Sequence, residues 1–151
     1  SGYGESSDAH HMSHPHPSGE GARRAIKEAL HRAKLGPEQI DYVNLHGTAS
    51  RVNDLIEGNL MAELFPGSTH MSSTKGWTGH TLGAAGIVEA IMALDTFNTG
   101  LLPGNLHWQS PDPEIPLPMT AENQPARPQH VMSNSFGFGG NNASLIFSRV
   151  D

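Results

Sequence analysis

The sequence predicts an α/β protein whose helices and strands form layers. Three segments have the character of helices: one has apolar residues at helical spacing, one follows a helix cap, and one is almost uniformly small or apolar. Short apolar runs bounded by turn residues separate them, and the C-terminal end carries two strand-like runs around a glycine-rich turn. The predicted order is helix, strand, helix, strand, helix and hairpin, which is a layered α/β pattern. At 151 residues the chain can bury one hydrophobic core, so a single domain is expected.

The first half of the chain contains the first two predicted helices. Residues 1–18 are rich in Gly, Ser, His and Pro without apolar periodicity, and we predict an N-terminal loop there. Residues 19–35 have the spacing of an amphipathic helix, which Gly36 and Pro37 end. A second helix is expected to start at a cap formed by Asn53 or Asp54 and to end near Leu64.

The strands and the third helix follow from short apolar runs and one longer one. Residues 80–97 are almost uniformly small or apolar, which predicts a buried helix. The proline-rich residues 100–128 are expected to form an irregular surface connection. Strands are predicted at residues 40–45, 69–73, 131–135 and 143–149, the last two as a hairpin.

Composition excludes several classes of function. The chain has 9 Lys and Arg against 15 Asp and Glu, a formal charge of −6, so no broad positive field attracts nucleic acid. Its apolar runs are far shorter than the roughly 20 residues of a membrane helix, so no membrane association is expected. With no cysteine, the chain has neither disulfides nor a thiolate nucleophile of its own.

Two histidines and a lysine stand where predicted strands and helices meet loops. His46 follows a strand, and His80 opens the predicted buried helix, where the helix dipole disfavours imidazolium. A neutral His80 could donate an N–H to an oxygen that gains negative charge. Lys75 lies five residues before it. Taken alone, a histidine at such a position is more often a packed or capping residue, and a lone lysine in a loop is usually only solvated.

Glu89 is a carboxylate inside an apolar helix, where an unpaired charge is costly. It needs a cation, a hydrogen-bonding shell or a proton, and a structural ion pair is an alternative to a functional role. Nine residues place Glu89 about half a turn around the helix from His80, so direct contact between them is not expected.

The histidine-rich tract and the glycine-rich turn are open to more than one interpretation. His10, His11, His14 and His16 lie in a proline-containing loop without an acidic or cysteine partner at ligand spacing, and we predict no metal site there. Residues 137–140 either form a tight hairpin turn or bring a backbone amide close to a ligand.

Three segments together resemble the C-terminal motifs of the β-ketoacyl-acyl-carrier-protein synthases, which have a thiolase-like fold. They are residues 44–50 (NLHGTAS), 75–86 (KGWTGHTLGAAG) and 134–142 (NSFGFGGNN), and they occur in the family's order. Residues 4–12 also resemble the loop before this half in the family. The resemblance implies that residues 1–151 are the C-terminal half of the layered thiolase-like fold and that the N-terminal half, with its nucleophilic cysteine, is absent.

The resemblance implies an acyltransferase that elongates fatty-acid or polyketide chains by decarboxylative Claisen condensation. A cysteine thiolate carries the acyl group, and malonyl-acyl-carrier protein loses carbon dioxide and attacks it. By motif, His46 and His80 donate hydrogen bonds to the thioester oxygen as it becomes an enolate, a contribution of roughly 3 kcal/mol each. Lys75 orders the histidines and the charge around them.

The same resemblance assigns further residues. Phe138 corresponds to a gating phenylalanine whose backbone N–H contributes to the oxyanion hole. Thr48 and Ser50 match residues that line the phosphopantetheine tunnel, although the family often has threonine at the second position. A further set matches positions that hold a structural monovalent cation in some members: Glu89, Asn44, Ser133 and Asn134.

The missing cysteine leaves two functions open, besides a structural fragment with no role of its own. The first is a catalytic half-site, completed by an N-terminal half that is either part of the same gene product or a separate chain. The alternative is a noncatalytic partner resembling a chain-length factor; such partners usually depart from the catalytic residues, whereas His46, Lys75 and His80 are present here. The resemblance further implies acyl carrier protein as a partner, no cofactor beyond the phosphopantetheine-borne substrate, a dimer, and a cytoplasmic location.

Overall fold

A computed structural model describes residues 1–150. Its four helices are α1 (Glu20–Ala33), α2 (Arg51–Leu64), α3 (Lys75–Thr78) and α4 (Ala85–Thr99). Its seven strands are β1 (Gly2–Ser7), β2 (Tyr42–Asn44), β3 (His70–Ser72), β4 (Leu101–Leu102), β5 (Gln124–Pro125), β6 (His130–Phe136) and β7 (Asn141–Ser148). Among the described residues, no helix is both long enough and apolar enough to cross a membrane.

Five strands form one mixed sheet in the order β1, β7, β6, β2, β3. β2 is parallel to both β3 and β6, whereas β7 is antiparallel to both β6 and β1. Side chains alternate between the two faces of a strand. Val43 of β2 therefore packs into the core shared with α1 and α2, while the preceding Tyr42 packs against Ala93 of α4. The result is a three-layered α/β fold, as predicted.

The expectation that residues 1–18 form a loop is wrong for Gly2–Ser7, which are the edge strand β1. This strand has no apolar alternation because its backbone hydrogen bonds to β7 and its close contact with α1 hold it in place. Gly4 lies so near α1 that a Cβ at this position would be 1.9 Å from the carbonyl oxygen of Ala25. Glycine thus permits a contact that a pattern of apolar residues does not reveal.

Two predicted helix starts are also wrong. α2 begins at Arg51 with Ser50 at the N-cap position, so Asn53 and Asp54 lie inside its first turn rather than at its cap. The third predicted helix corresponds to α4, which begins at Ala85 and not at residue 80, because residues 82–84 form a short 3₁₀ turn first.

The helix α4 is also not buried on all sides, although the sequence predicts a buried helix. Ala90 and Ala93 face the sheet, but Ile87 is 64% exposed and Ile91 57% exposed. Because the exposed face of α4 is also apolar, its sequence has the character of a helix that is buried on all sides.

The C-terminal hairpin is confirmed, with β6 and β7 joined by residues 137–140. The connection between α4 and β6 is largely irregular, apart from the short antiparallel pair of β4 and β5. Its residues Leu102, Asn105 and Leu117 are buried, so this segment contributes to the core as well as to the surface.

Candidate active site

The candidate site lies at the carboxyl ends of β2 and β3. His46 follows β2 by two residues, and Lys75 follows β3 by three, at the start of α3. Because neighbouring parallel strands end at the same edge of a sheet, the two side chains converge there. α4 then brings Glu89 to the same place from the other face.

Lys75 connects the residues of this cluster. Its ammonium donates hydrogen bonds to the Glu89 carboxylate and to the His46 carbonyl oxygen, and its Nζ lies 3.4 Å from His46 Nδ1. Lys75 is 9% exposed and Glu89 1% exposed, so both charges are buried. Burial raises the pKa of Glu89, while its hydrogen bond to Lys75 acts in the opposite direction. The cation that the buried Glu89 carboxylate was expected to need is therefore the Lys75 ammonium. Sequence spacing did not identify this pairing.

His46 is held neutral by its surroundings. Burial, aided by the positive charge of Lys75 and by the neighbouring His80, lowers the pKa of His46 to about 3. An ammonium can only donate hydrogen bonds, so the contact at His46 Nδ1 requires that nitrogen to be unprotonated. The proton of the neutral ring is then on Nε2, which leaves His46 with an N–H available to a ligand.

His80 lies beside His46, with its ring centroid 5.7 Å away and its plane nearly perpendicular. The prediction that His80 opens the buried helix is wrong, because α4 starts five residues later. Instead, the backbone N–H of Leu82 donates to His80 Nδ1 over 3.2 Å. In its neutral form His80 therefore also carries its proton on Nε2. Its side chain is solvent-exposed.

Glu57 belongs to the site although the sequence analysis did not select it. Its two carboxylate oxygens accept the backbone N–H groups of His46 and Gly47, each over 2.8 Å, and so fix the chain beyond β2. Burial raises the pKa of Glu57 to about 7. One signal was available in the sequence: Glu57 precedes the buried Leu60 and Met61 by three and four residues, which places it on the buried face of α2.

The residues assigned to a monovalent cation do not form one cluster: Glu89 lies on α4, and the Asn134 amide donates to Met61 Sδ over 3.7 Å. Asn44 and Ser133 are opposite each other on β2 and β6. The Asn44 amide donates to Thr74 over 3.0 Å, and the Asn134 side-chain oxygen accepts the Ser144 hydroxyl over 2.7 Å. Glu89 Oε2 is buried without a hydrogen-bond partner among the described residues. Nowhere in residues 1–150 do three or more His, Cys, Asp or Glu side chains form a group suited to a metal ion.

Phe138 stands at the tip of the glycine-rich turn, and 77% of its surface is exposed. The turn requires positive φ angles at Gly139 (80°) and Gly140 (77°), which glycine adopts without strain. The Gly137 N–H donates to the carbonyl oxygen of Asn141, and the Gly139 N–H donates to that of Met12. The Gly140 N–H donates to the carbonyl oxygen of Gly137. Within the described chain, the Phe138 N–H has no such backbone acceptor, which leaves it available to a ligand.

A cleft of about 650 Å³ opens beside these residues. Thr48, Lys75 and His80 line it, together with Asn105 and Trp108 of the irregular connection. The Thr48 and Ser50 hydroxyls are 2.9 Å apart, but Ser50 does not line the cleft. The structure thus brings His46, His80 and Lys75 together and places only one of the two predicted tunnel residues in the cleft wall.

Comparison with known proteins identifies the family of the chain. Residues 1–109 match the family model described as the β-ketoacyl synthase C-terminal domain. The chain is 43% identical to the mitochondrial 3-oxoacyl-[acyl-carrier-protein] synthase of Arabidopsis thaliana, over 99% of this chain and 34% of that protein. For 3-oxoacyl-[acyl-carrier-protein] synthase 2 of Staphylococcus aureus, the identity is 40%, over 99% of this chain and 37% of the relative.

A solved structure is also similar. It contains a ketosynthase in complex with its chain length factor, from Xenorhabdus doucetiae, and it superimposes with a TM-score of 0.89 at 46% identity, over 99% of this chain and 38% of that one. The chain therefore spans little more than a third of the length of these proteins. The chain belongs to the β-ketoacyl synthase family, and it corresponds to the family's C-terminal domain.

Proposed function

We propose that this chain supplies the histidine and lysine half of a condensing active site, in a 3-oxoacyl-[acyl-carrier-protein] synthase that elongates fatty-acid or polyketide chains. One observation carries the proposal: His46 and His80 lie side by side, and each uses Nδ1 as an acceptor, so both present an Nε2–H donor. Two N–H donors held by the protein are suited to an oxygen that gains negative charge during reaction.

The reaction that fits these donors begins with an acyl group on a cysteine thiolate of the N-terminal half. Malonyl thioester, carried on the phosphopantetheine of acyl carrier protein, loses carbon dioxide by cleavage of its C–C bond. The electron pair forms an enolate whose oxygen accepts hydrogen bonds from His46 and His80. The enolate carbon attacks the carbonyl carbon of the acyl group, and the carbonyl oxygen becomes an oxyanion that accepts a hydrogen bond from the Phe138 N–H. The cysteine thiolate then leaves as the β-ketoacyl product forms.

Lys75 and Glu89 act through His46 rather than on the substrate. Burial, together with the ammonium of Lys75, keeps His46 neutral. The ammonium also sets the tautomer of His46, and Glu89 balances that buried charge. A structural monovalent cation also remains a proposal: the unpartnered Glu89 Oε2 supports it, while the Asn44 and Asn134 amides already have protein partners.

We further propose that the N-terminal half covers the exposed face of α4, where Ile87, Ile91 and Leu94 form an apolar stripe. An apolar stripe of this kind is typical of a surface that another part of the protein covers. Thr48 then lines the path of the phosphopantetheine arm through the cleft, with Ser50 near its mouth. A dimer and a cytoplasmic location are expectations from the family resemblance, and the Arabidopsis relative is named mitochondrial.

The alternative is a noncatalytic partner of a ketosynthase, like the chain length factor in the Xenorhabdus complex. The geometry favours the catalytic role, because a noncatalytic partner has no need for Lys75 to set the tautomer of a neutral His46. The nature of the cysteine position in the other half separates the two roles.

The test is intact mass of the purified protein under native and denaturing conditions, followed by labelling with a radioactive acyl thioester. The proposal predicts a cysteine-bearing polypeptide, either fused to this chain or bound to it, that becomes acylated. If the cysteine position holds a residue that cannot be acylated, the noncatalytic role is correct and the condensing proposal fails.

A further inference from the structure

Two imidazoles in the loop between β1 and α1 lie unusually close together. His11 Nδ1 and His14 Nδ1 are 3.0 Å apart, with ring centroids at 4.7 Å and planes inclined by 67°. The Ser13 N–H also points at His11 Nδ1, over 3.1 Å. One ring nitrogen has a single lone pair, so His11 Nδ1 is approached by more donors than it can satisfy well.

We propose that His11 and His14 chelate a divalent transition-metal ion through their Nδ1 atoms, with water completing the coordination. Metal–imidazole bonds are about 2.0–2.1 Å long. Two such nitrogens at a right angle lie about 2.8–3.0 Å apart, whereas tetrahedral ligands lie about 3.3–3.4 Å apart. The observed 3.0 Å matches the right-angled arrangement of square-planar or tetragonal Cu²⁺ and Ni²⁺ sites.

The surroundings of the pair allow an ion to bind. Both side chains are exposed, so water replaces the hydrogen bonds that they give up on binding a metal. Residues 8–18 contain no Lys or Arg that would repel a cation, and their one charged residue is Asp8.

The sequence predicts no metal site in this tract, because the histidines have no acidic or cysteine partner at ligand spacing. Two ligands from the chain are too few for a closed structural site, but they are enough for an open chelate. The second imidazole then binds intramolecularly, which raises the affinity well above that of one histidine.

An ion at this position would also act on the glycine-rich turn. Met12 lies between the two ligands in the chain, and its carbonyl oxygen accepts the Gly139 N–H over 2.7 Å. Chelation closes a ring around Met12 and so restrains the hydrogen bond that holds the loop against the turn carrying Phe138. The amides of residues 137–140 are therefore expected to exchange more slowly when the ion is bound.

The experiment is a CuCl₂ titration of the untagged protein as isolated, with any copurifying polypeptide retained, followed by calorimetry. The proposal predicts that His11→Gln and His14→Gln each weaken the dissociation constant at least tenfold. The double variant should be no more than threefold weaker than either single variant, because either change already destroys the chelate. His31→Gln, on the exposed face of α1, is the matched control and should change the constant less than twofold.

Two results overturn the proposal. One is a change of less than threefold in both single variants. The other is an equal loss in His10→Gln or His31→Gln, which would indicate independent surface histidines. Hydrogen exchange of residues 137–140 with and without CuCl₂ gives a separate readout, and an unchanged rate would refute the link to the turn. Circular dichroism of each variant establishes that the fold is intact.

Discussion

Replacing Glu89 with leucine would leave the Lys75 ammonium buried without its carboxylate. The Lys75 side chain is 6% exposed and the Glu89 side chain 1% exposed, so solvent screens their interaction little. Breaking a buried ion pair by removing one partner costs about 3–5 kcal/mol, since the remaining charge stays desolvated. We therefore expect Glu89→Leu and Lys75→Met each to lower the free energy of unfolding by about that amount.

The double variant separates stability from function. Without either charge, an apolar pair of similar volume can be as stable as the ion pair, so we expect Lys75→Met with Glu89→Leu to recover at least about 2 kcal/mol relative to the sum of the single losses. Its condensation rate should nevertheless stay about 10²–10³-fold low, because His46 loses the contact that sets its tautomer.

The assays are urea unfolding of the purified protein and product formation by each variant. Single losses below about 1 kcal/mol, or strictly additive losses in the double variant, would refute the reasoning about the buried pair. Normal activity of the double variant would refute the role given to Lys75.

Three further predictions concern His46, Glu57 and Gly4. The pKa of His46 is lowered to about 3, so its imidazole NMR signals should not titrate between pH 7 and about pH 4, and a midpoint near 6.5 would contradict its burial. The pKa of Glu57 is raised to about 7, so the native state binds the extra proton and stability should fall, by on the order of 3 kcal/mol, as pH rises from about 4.5 to about 7. Glu57→Gln should flatten that fall, and an unchanged slope in urea unfolding would exclude Glu57 as its source. Gly4→Ala should destabilise the protein by about 1–3 kcal/mol through its clash with Ala25, whereas Gly67→Ala, which meets nothing within 4 Å, should be nearly neutral in thermal melting; equal effects would refute the packing argument.

Side-chain patterning predicted α1 and the hairpin of β6 and β7, but it gave the wrong start and the wrong degree of burial for α4. The amphipathic period of α1 and the paired apolar runs of β6 and β7 predicted these elements because one face of each is buried. β1 could not be found in this way, since backbone pairing and the close approach of Gly4 to α1 position it.

For the candidate site, the sequence predicted residues but not their contacts. His46, Lys75 and His80 were selected by motif, and the structure brings them together. The pairing of Lys75 with Glu89 depends on how α4 crosses the sheet, which sequence spacing does not encode. His80 Nδ1 accepts the backbone N–H of Leu82, a contact that sequence spacing did not predict, because residues 82–84 form a 3₁₀ turn before α4 begins.

The most direct test of the condensing role is release of carbon dioxide from malonyl-acyl-carrier protein by the protein assembled with its cysteine-bearing half. The variants are His46→Ala and His80→Ala, with the exposed His31→Ala as control, and acylation of the cysteine is measured in parallel. We predict that carbon dioxide release falls at least about 100-fold in both site variants while acylation of the cysteine continues. Unchanged carbon dioxide release in either site variant would contradict the proposal that these two imidazoles stabilise the enolate.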